Sequence, residues 1–177
     1  MSVPSRNSQC AEINSGRRTF FVTASSYGKK PLFLKESAAK LFVRTMFEYR
    51  NAKHYLLHEF VLMPDHFHVL LTVGADISIE KVVQLIKGGF SFRAARMDVL
   101  RGEVWQRGFS EVRVVEEDQY AAFSQYIHEN PVRRRLAPSG NEYLFCSAYP
   151  GYRLDPKPQG LKPRRERAVS GTTKVVP

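Results

Sequence analysis

The chain has 177 residues, a net charge of +10, and 43% apolar and 12% aromatic content, enough for one core and too much for a uniformly disordered chain. Its two cysteines, Cys10 and Cys146, exclude a disulfide framework or a thiolate zinc site, and no apolar run reaches the roughly 18–20 residues of a bilayer span. Residues 1–14 lack the apolar stretch of an export signal, so the expected compartment is the cytoplasm, and the charge points to a polyanion, most simply nucleic acid.

Residues 1–15 are polar and read as a loose arm. Arg18–Ser25 is rich in β-branched and aromatic residues and reads as a strand. Lys35–Arg50 is helical, with Ala38, Leu41, Phe42 and Thr45 at three-to-four spacing. Lys53–Met63 is a strand, broken by Met63-Pro64-Asp65, and His66–Val73 is the next. Ser78 opens a helix to about Arg96, which Gly88-Gly89 is expected to weaken and bend. Phe109–Val115 is a strand. Glu116-Glu117-Asp118 places acids at the start of a helix expected to end at Asn130, before Pro131. Residues 153–177 hold seven Lys or Arg against two acids and few large apolar side chains, so they are expected to form a basic tail, disordered without a partner.

The first six elements give the βαββαβ order of a ferredoxin-like antiparallel sheet, an α+β fold. Both crossover helices pack on one face. The other face is left for function, and the extra C-terminal helix can bring side chains to it.

Alternation along a strand places His66 and His68 on one face and Phe67, Val69 and Leu71 on the other. Two imidazoles about 7 Å apart at Cα can converge on one divalent ion and leave it open to substrate, as a catalytic site requires. The alternative is a pair of structural histidines. On the last helix, Tyr126 and Asn130 stand one turn apart on one face: a phenol that can act as nucleophile and an amide oxygen that can complete a metal site. By residue type alone Tyr120, Tyr143, Tyr149 and Tyr152 are equally available. In the hairpin register expected for a Pro64-Asp65 turn, Met63 pairs with His66 and Val61 with His68, and Glu59 lies on the histidine face, as an added ligand, a support, or only a surface charge. His54, His58 and His128 read as surface or edge residues, and Asp65 as a turn residue. Lys87, Arg93, Arg96, Arg101, Arg107 and Arg133-Arg134-Arg135 are candidate phosphate contacts. Phe90, Phe92 and Trp105 are either core or platforms for bases.

The blocks Met63-Pro64-Asp65-His66-Phe67-His68, Ile86-Lys87-Gly88-Gly89-Phe90, Val104-Trp105-Gln106-Arg107-Gly108-Phe109 and Tyr126-Ile127-His128-Glu129-Asn130-Pro131-Val132 together resemble the single-tyrosine transposases of the His-hydrophobic-His (HUH) superfamily, in particular the REP-associated tyrosine transposase branch. The resemblance covers about residues 17–152 and implies a catalytic domain over 16–152. It implies His66, His68 and Asn130 as ligands of Mg²⁺ or Mn²⁺ and Tyr126 as the nucleophile. The activity implied is cleavage and strand transfer of single-stranded or hairpin DNA through a 5′-phosphotyrosine link, by a monomer or a homodimer. The other readings are a hairpin-DNA binder that no longer cuts and a metal-dependent hydrolytic nuclease. Two features depart from the family pattern. Arg133-Arg134-Arg135-Leu136 lacks the Gly common near the helix exit, and Phe145-Cys146-Ser147-Ala148 keeps one Ser of a usual pair.

Overall fold

The structure, a computed structural model, describes residues 16–163; the arm expected over 1–15 and the tail beyond 163 lie outside the described residues. The elements run β1 (Arg18–Ser25), α1 (Glu36–Asn51), β2 (Leu56–Leu62), β3 (His66–Val73), α2 (Ile79–Arg96), β4 (Ser110–Val114) and α3 (Glu117–Arg133). The sheet order is β2-β3-β1-β4, with every pairing antiparallel. This is the ferredoxin-like order expected from the sequence.

One sheet face sends Val22, Phe67, Val69 and Leu71 into a core with Phe42 and Met46 of α1 and Ile86 and Phe90 of α2. Here α1 and α2 meet closely. A Cβ on Gly89 would stand 2.5 Å from the Tyr49 ring. Gly89 therefore serves helix packing, and α2 runs unbroken through both glycines. Its start is where Ser78 predicts it, with Ser78 Oγ accepting from the Lys81 amide at 3.2 Å.

The opposite face carries Phe21, Val61, Met63, Leu70 and Val114, and α3 covers it with Tyr120 and Ile127. Helix α3 passes Pro131, expected as its stop, and ends at Arg133. A proline cannot donate to the carbonyl four residues back. That carbonyl, of Ile127, instead faces the Cys146 Sγ at 4.0 Å. The helix exit forms a Schellman motif, with Leu136 N–H donating to Pro131 O at 2.8 Å and Arg135 N–H to Val132 O at 2.9 Å. Arg135 occupies its left-handed position, φ 56°, where glycine is usual.

A register shift between Leu57 and Glu59 marks a bulge in β2, so His58 and Glu59 both face α3. His58 is thus buried, not at the surface, with Nε2 2.8 Å from Thr72 Oγ1. Residues 153–163, expected at the start of a disordered tail, return along the domain. Asp155 accepts from Arg50 at 2.7 and 2.8 Å and from the Leu57 amide at 2.8 Å, and Lys162 bridges to Glu116. Among the described residues no helix is long and apolar enough to cross a membrane.

Candidate functional site

The strand pair β2–β3 has the expected hairpin register: Met63 N–H donates to His66 O at 2.8 Å, and Val61 faces His68. With β3 alternating, the imidazoles of His66 and His68 lie together on the α3 side, ring centroids 4.8 Å apart and nearly perpendicular. Each ring is fixed through Nδ1. His66 Nδ1 lies 2.6 Å from Asp65 Oδ1, and His68 Nδ1 lies 2.7 Å from Thr23 Oγ1. Thr23 is there because β1 pairs with β3 in the register Thr23↔His68. Asp65 does more than turn the chain: a carboxylate can only accept here, so it holds the Nδ1 proton of His66 and leaves the lone pair on Nε2. Thr23 can do the same for His68.

His68 Nε2 is buried and has no hydrogen-bond partner. Burial first, and the adjacent His66 second, push the His68 pKa down to about 3, so this imidazole is neutral, as a metal ligand must be. An orphaned buried nitrogen on a neutral, oriented ring fits a divalent ion.

Over the pair lies Tyr126, its ring centroid 5.1 Å from that of His68 and its side chain partly open to solvent. Phe21 stacks on His68 at 5.3 Å and on Phe123 of α3 at 4.3 Å, wedging the helix against the histidine strand. The other tyrosines are placed elsewhere. Tyr143 and Tyr152 donate to the carbonyls of Leu62 and Leu144 at 3.0 and 2.6 Å, and Tyr120 packs on His58. Asn130 is buried, one turn after Tyr126 and one before Arg134. Arg134 lines a cavity with His66, as Tyr126 packs on His68. Among the described residues no three His, Cys, Asp or Glu side chains group as a metal site.

Glu59 fixes the helix that carries Tyr126. It accepts from Ser124 at 3.1 Å and His128 at 2.8 Å, both on α3, and from Ser147 at 2.5 Å. His128 is thus a strut between α3 and β2, and Ser147, the serine retained from the usual pair, completes the anchor.

The candidate DNA contacts divide. Lys87 donates to the carbonyls of Gln106 and Gly108 at 2.9 and 2.8 Å, tying α2 to the following loop. Arg93 pairs with Glu48 at 2.8 Å, and Arg96 covers the exposed Phe92. These three stand on α2, across the sheet from the histidines, and Arg107 lies in the loop before β4. Arg101 pairs with Asp98 at 2.6 Å. Arg133 pairs with Glu129 at 2.6 Å and covers the Tyr126 ring at 5.7 Å. Phe90 is core; Trp105 packs on it and donates to Lys87 O at 3.0 Å.

Residues 21–130, which span His66, His68, Tyr126 and Asn130, match the family model described as transposase, IS200-like. Among solved structures the chain resembles a REP-associated tyrosine transposase bound to a REP hairpin, with TM-score 0.65 and 19% identity over 89% of this chain and 92% of that one. It also resembles a protein from Deinococcus radiodurans R1 assigned as a transposase, with TM-score 0.50 and 19% identity over 73% of this chain and 97% of that one. No curated relative matches. At these identities the structural likeness concerns the fold.

Proposed function

The chain belongs to the IS200-like transposase family, and from that premise we propose that it cuts and rejoins single-stranded DNA flanking a hairpin, with Tyr126 as the nucleophile. The observation that carries this reading is the contact of the Tyr126 ring with His68, a neutral imidazole whose Nε2 has no partner. A hairpin partner is supported by the REP hairpin bound in the structural relative.

The Tyr126 oxygen forms a bond to phosphorus while the bond from phosphorus to the 3′ oxygen breaks. The phenolic proton passes to solvent, and the 3′ oxygen leaves as a hydroxyl. The 5′ end stays on Tyr126 as a phosphotyrosine. This ester retains the phosphodiester bond energy, so a second 3′-hydroxyl can reverse the step without an added energy source. His66, His68 and the Asn130 amide would hold Mg²⁺ or Mn²⁺, which supplies charge to polarise the phosphate and offset the charge that builds on it. Thr23 and Asp65 orient the imidazoles. Glu59, through Ser124 and His128, holds α3 so that the phenol stays over the pair. The packing of α3 on its own sheet supports a monomer whose single copy supplies the whole set; in a homodimer the helix could serve the partner's sheet.

Incubation with a labelled hairpin DNA carrying a single-stranded flank and Mn²⁺, followed by a denaturing gel, tests this. A covalent protein–DNA band is expected, and it is lost in Tyr126→Phe. Cleavage that survives Tyr126→Phe would establish the hydrolytic nuclease instead, and binding with no cleavage the DNA binder.

A further inference from the structure

Beside His66, away from Tyr126, the structure has a cavity of about 310 Å³ whose walls include Lys29 and Arg134. Its other walls include Pro31, Met63, Pro64 and Leu136, so one chamber offers two cations and a mostly apolar surface. Most other cations near acids are paired, as Arg44 and Arg93 are with Glu48. Neither Lys29 nor Arg134 pairs with an acid among the described residues. Asp65, which also lines the cavity, is bonded to His66.

The walls are fixed to the histidine turn. Ser26 N–H donates to Asp65 O at 2.8 Å, Ser26 Oγ lies 2.7 Å from Lys30 O and 3.0 Å from Asp65 O, and Phe33 N–H donates to Pro64 O at 3.0 Å. These bonds clamp the loop of Lys29 onto Pro64-Asp65. On the opposite wall the α3 exit sets Arg134 and Leu136. Lys29 has φ 51° and Arg135 φ 56°, a left-handed conformation that costs a residue with a side chain roughly 1–2 kcal/mol. At Arg135 this conformation closes the α3 exit, which sets Arg134 and Leu136 on either side of it.

We propose that this cavity is a nucleotide subsite of the strand-transfer site: Lys29 and Arg134 hold a phosphate adjoining the one attacked, and Pro31, Pro64 and Leu136 receive its base. The assignment rests on the function proposed above. The apolar walls favour packing over base-edge hydrogen bonds, so binding here tolerates any base. The subsite would seat the strand on the far side of the histidine pair from the phenol and fix which phosphate Tyr126 meets.

The test is binding of a fluorescent oligo(dT) 20-mer, without divalent ion, across a KCl series. The proteins are wild type, Lys29→Met, Lys29→Gly, Arg134→Met, the Lys29→Met/Arg134→Met double variant, and Lys40→Met on α1 across the sheet. Withdrawing one cation from a phosphate of a single strand lowers the slope of log affinity against log salt by about 0.7. The double variant is expected to fall by at least that much in slope and about tenfold in low-salt affinity. Lys29→Gly matches Lys29→Met in binding, since it relieves the backbone while removing the same charge. Lys40→Met keeps the wild-type slope. An unchanged slope in the folded double variant, or an equal decrease in Lys40→Met, overturns the subsite. A wild-type protein that still forms the Tyr126 adduct beside an unchanged slope refutes the subsite alone. A reduced slope with no adduct refutes the chemistry alone.

Discussion

Removing Glu59 should release the tyrosine helix before it harms the core. Its carboxylate accepts from Ser147 at 2.5 Å, His128 at 2.8 Å and Ser124 at 3.1 Å, and its side chain is 16% exposed. Hydrogen bonds to a charged group contribute roughly 1.5–3 kcal/mol each when buried. The His128 contact is worth less, because that side chain is 37% exposed and water screens it. For Glu59→Ala we expect a loss of about 3 kcal/mol, or a fall in Tm of about 6–12 °C for a chain of this size. Glu59→Gln, which keeps an acceptor and loses the charge, should cost about half that. The functional consequence follows from geometry: a displacement near 1 Å at a reacting group costs about 100-fold in rate. Glu59→Gln should therefore form the Tyr126 adduct at least about tenfold more slowly, and its Mn²⁺ affinity should fall with it, because Asn130 rides on the same helix. Urea denaturation, adduct kinetics and metal titration give the three quantities. A folded Glu59→Ala protein that loses under about 1 kcal/mol, or that forms adduct at the wild-type rate, would refute the anchoring argument.

Acid should loosen the same anchor. Burial pushes the Glu59 pKa up, but the hydrogen bonds and charge of His128, with Ser147 and Ser124, pull it below its ordinary 4.5. Its contribution is thus complete above about pH 4.5 and vanishes as pH falls through the lower folded value; the stability of Glu59→Gln should vary less over that acid range. Thr23→Val keeps the shape of β1 but removes the partner of His68 Nδ1, and calorimetry should show Mn²⁺ affinity down about 10–100-fold; full affinity would count against Thr23 as an orienting group. Arg135→Gly should raise stability by about 1 kcal/mol, seen as a Tm gain of about 2–4 °C, since glycine accepts φ 56°. Gly88→Ala, which meets nothing within 4 Å, should gain about 0.8–1 kcal/mol. Gly89→Ala should not share that gain, because its Cβ meets Tyr49 at 2.5 Å; equal gains would disprove the close approach.

The order of elements, the shared face of His66 and His68 and the one-turn spacing of Tyr126 and Asn130 were legible in the sequence, because strand and helix periodicities are local rules of backbone geometry. So was the Ser78 start of α2. The stop read from Pro131 failed because a proline near a helix end forfeits one donor, and here Cys146 stands opposite the carbonyl left over. What joins the parts was decided by tertiary structure. Thr23 reaches His68 through the β1–β3 register, which joins residues 45 positions apart. The bulge in β2 turns His58 inward, and Glu59 meets Ser124, His128 and Ser147 only after α3 docks. Charge tells the same story: composition counts the cations, but a cation's use depends on whether an acid or carbonyl lies within reach. Packing thus engaged Lys87 and Arg93 and left Lys29 and Arg134 facing the cavity beside the histidines.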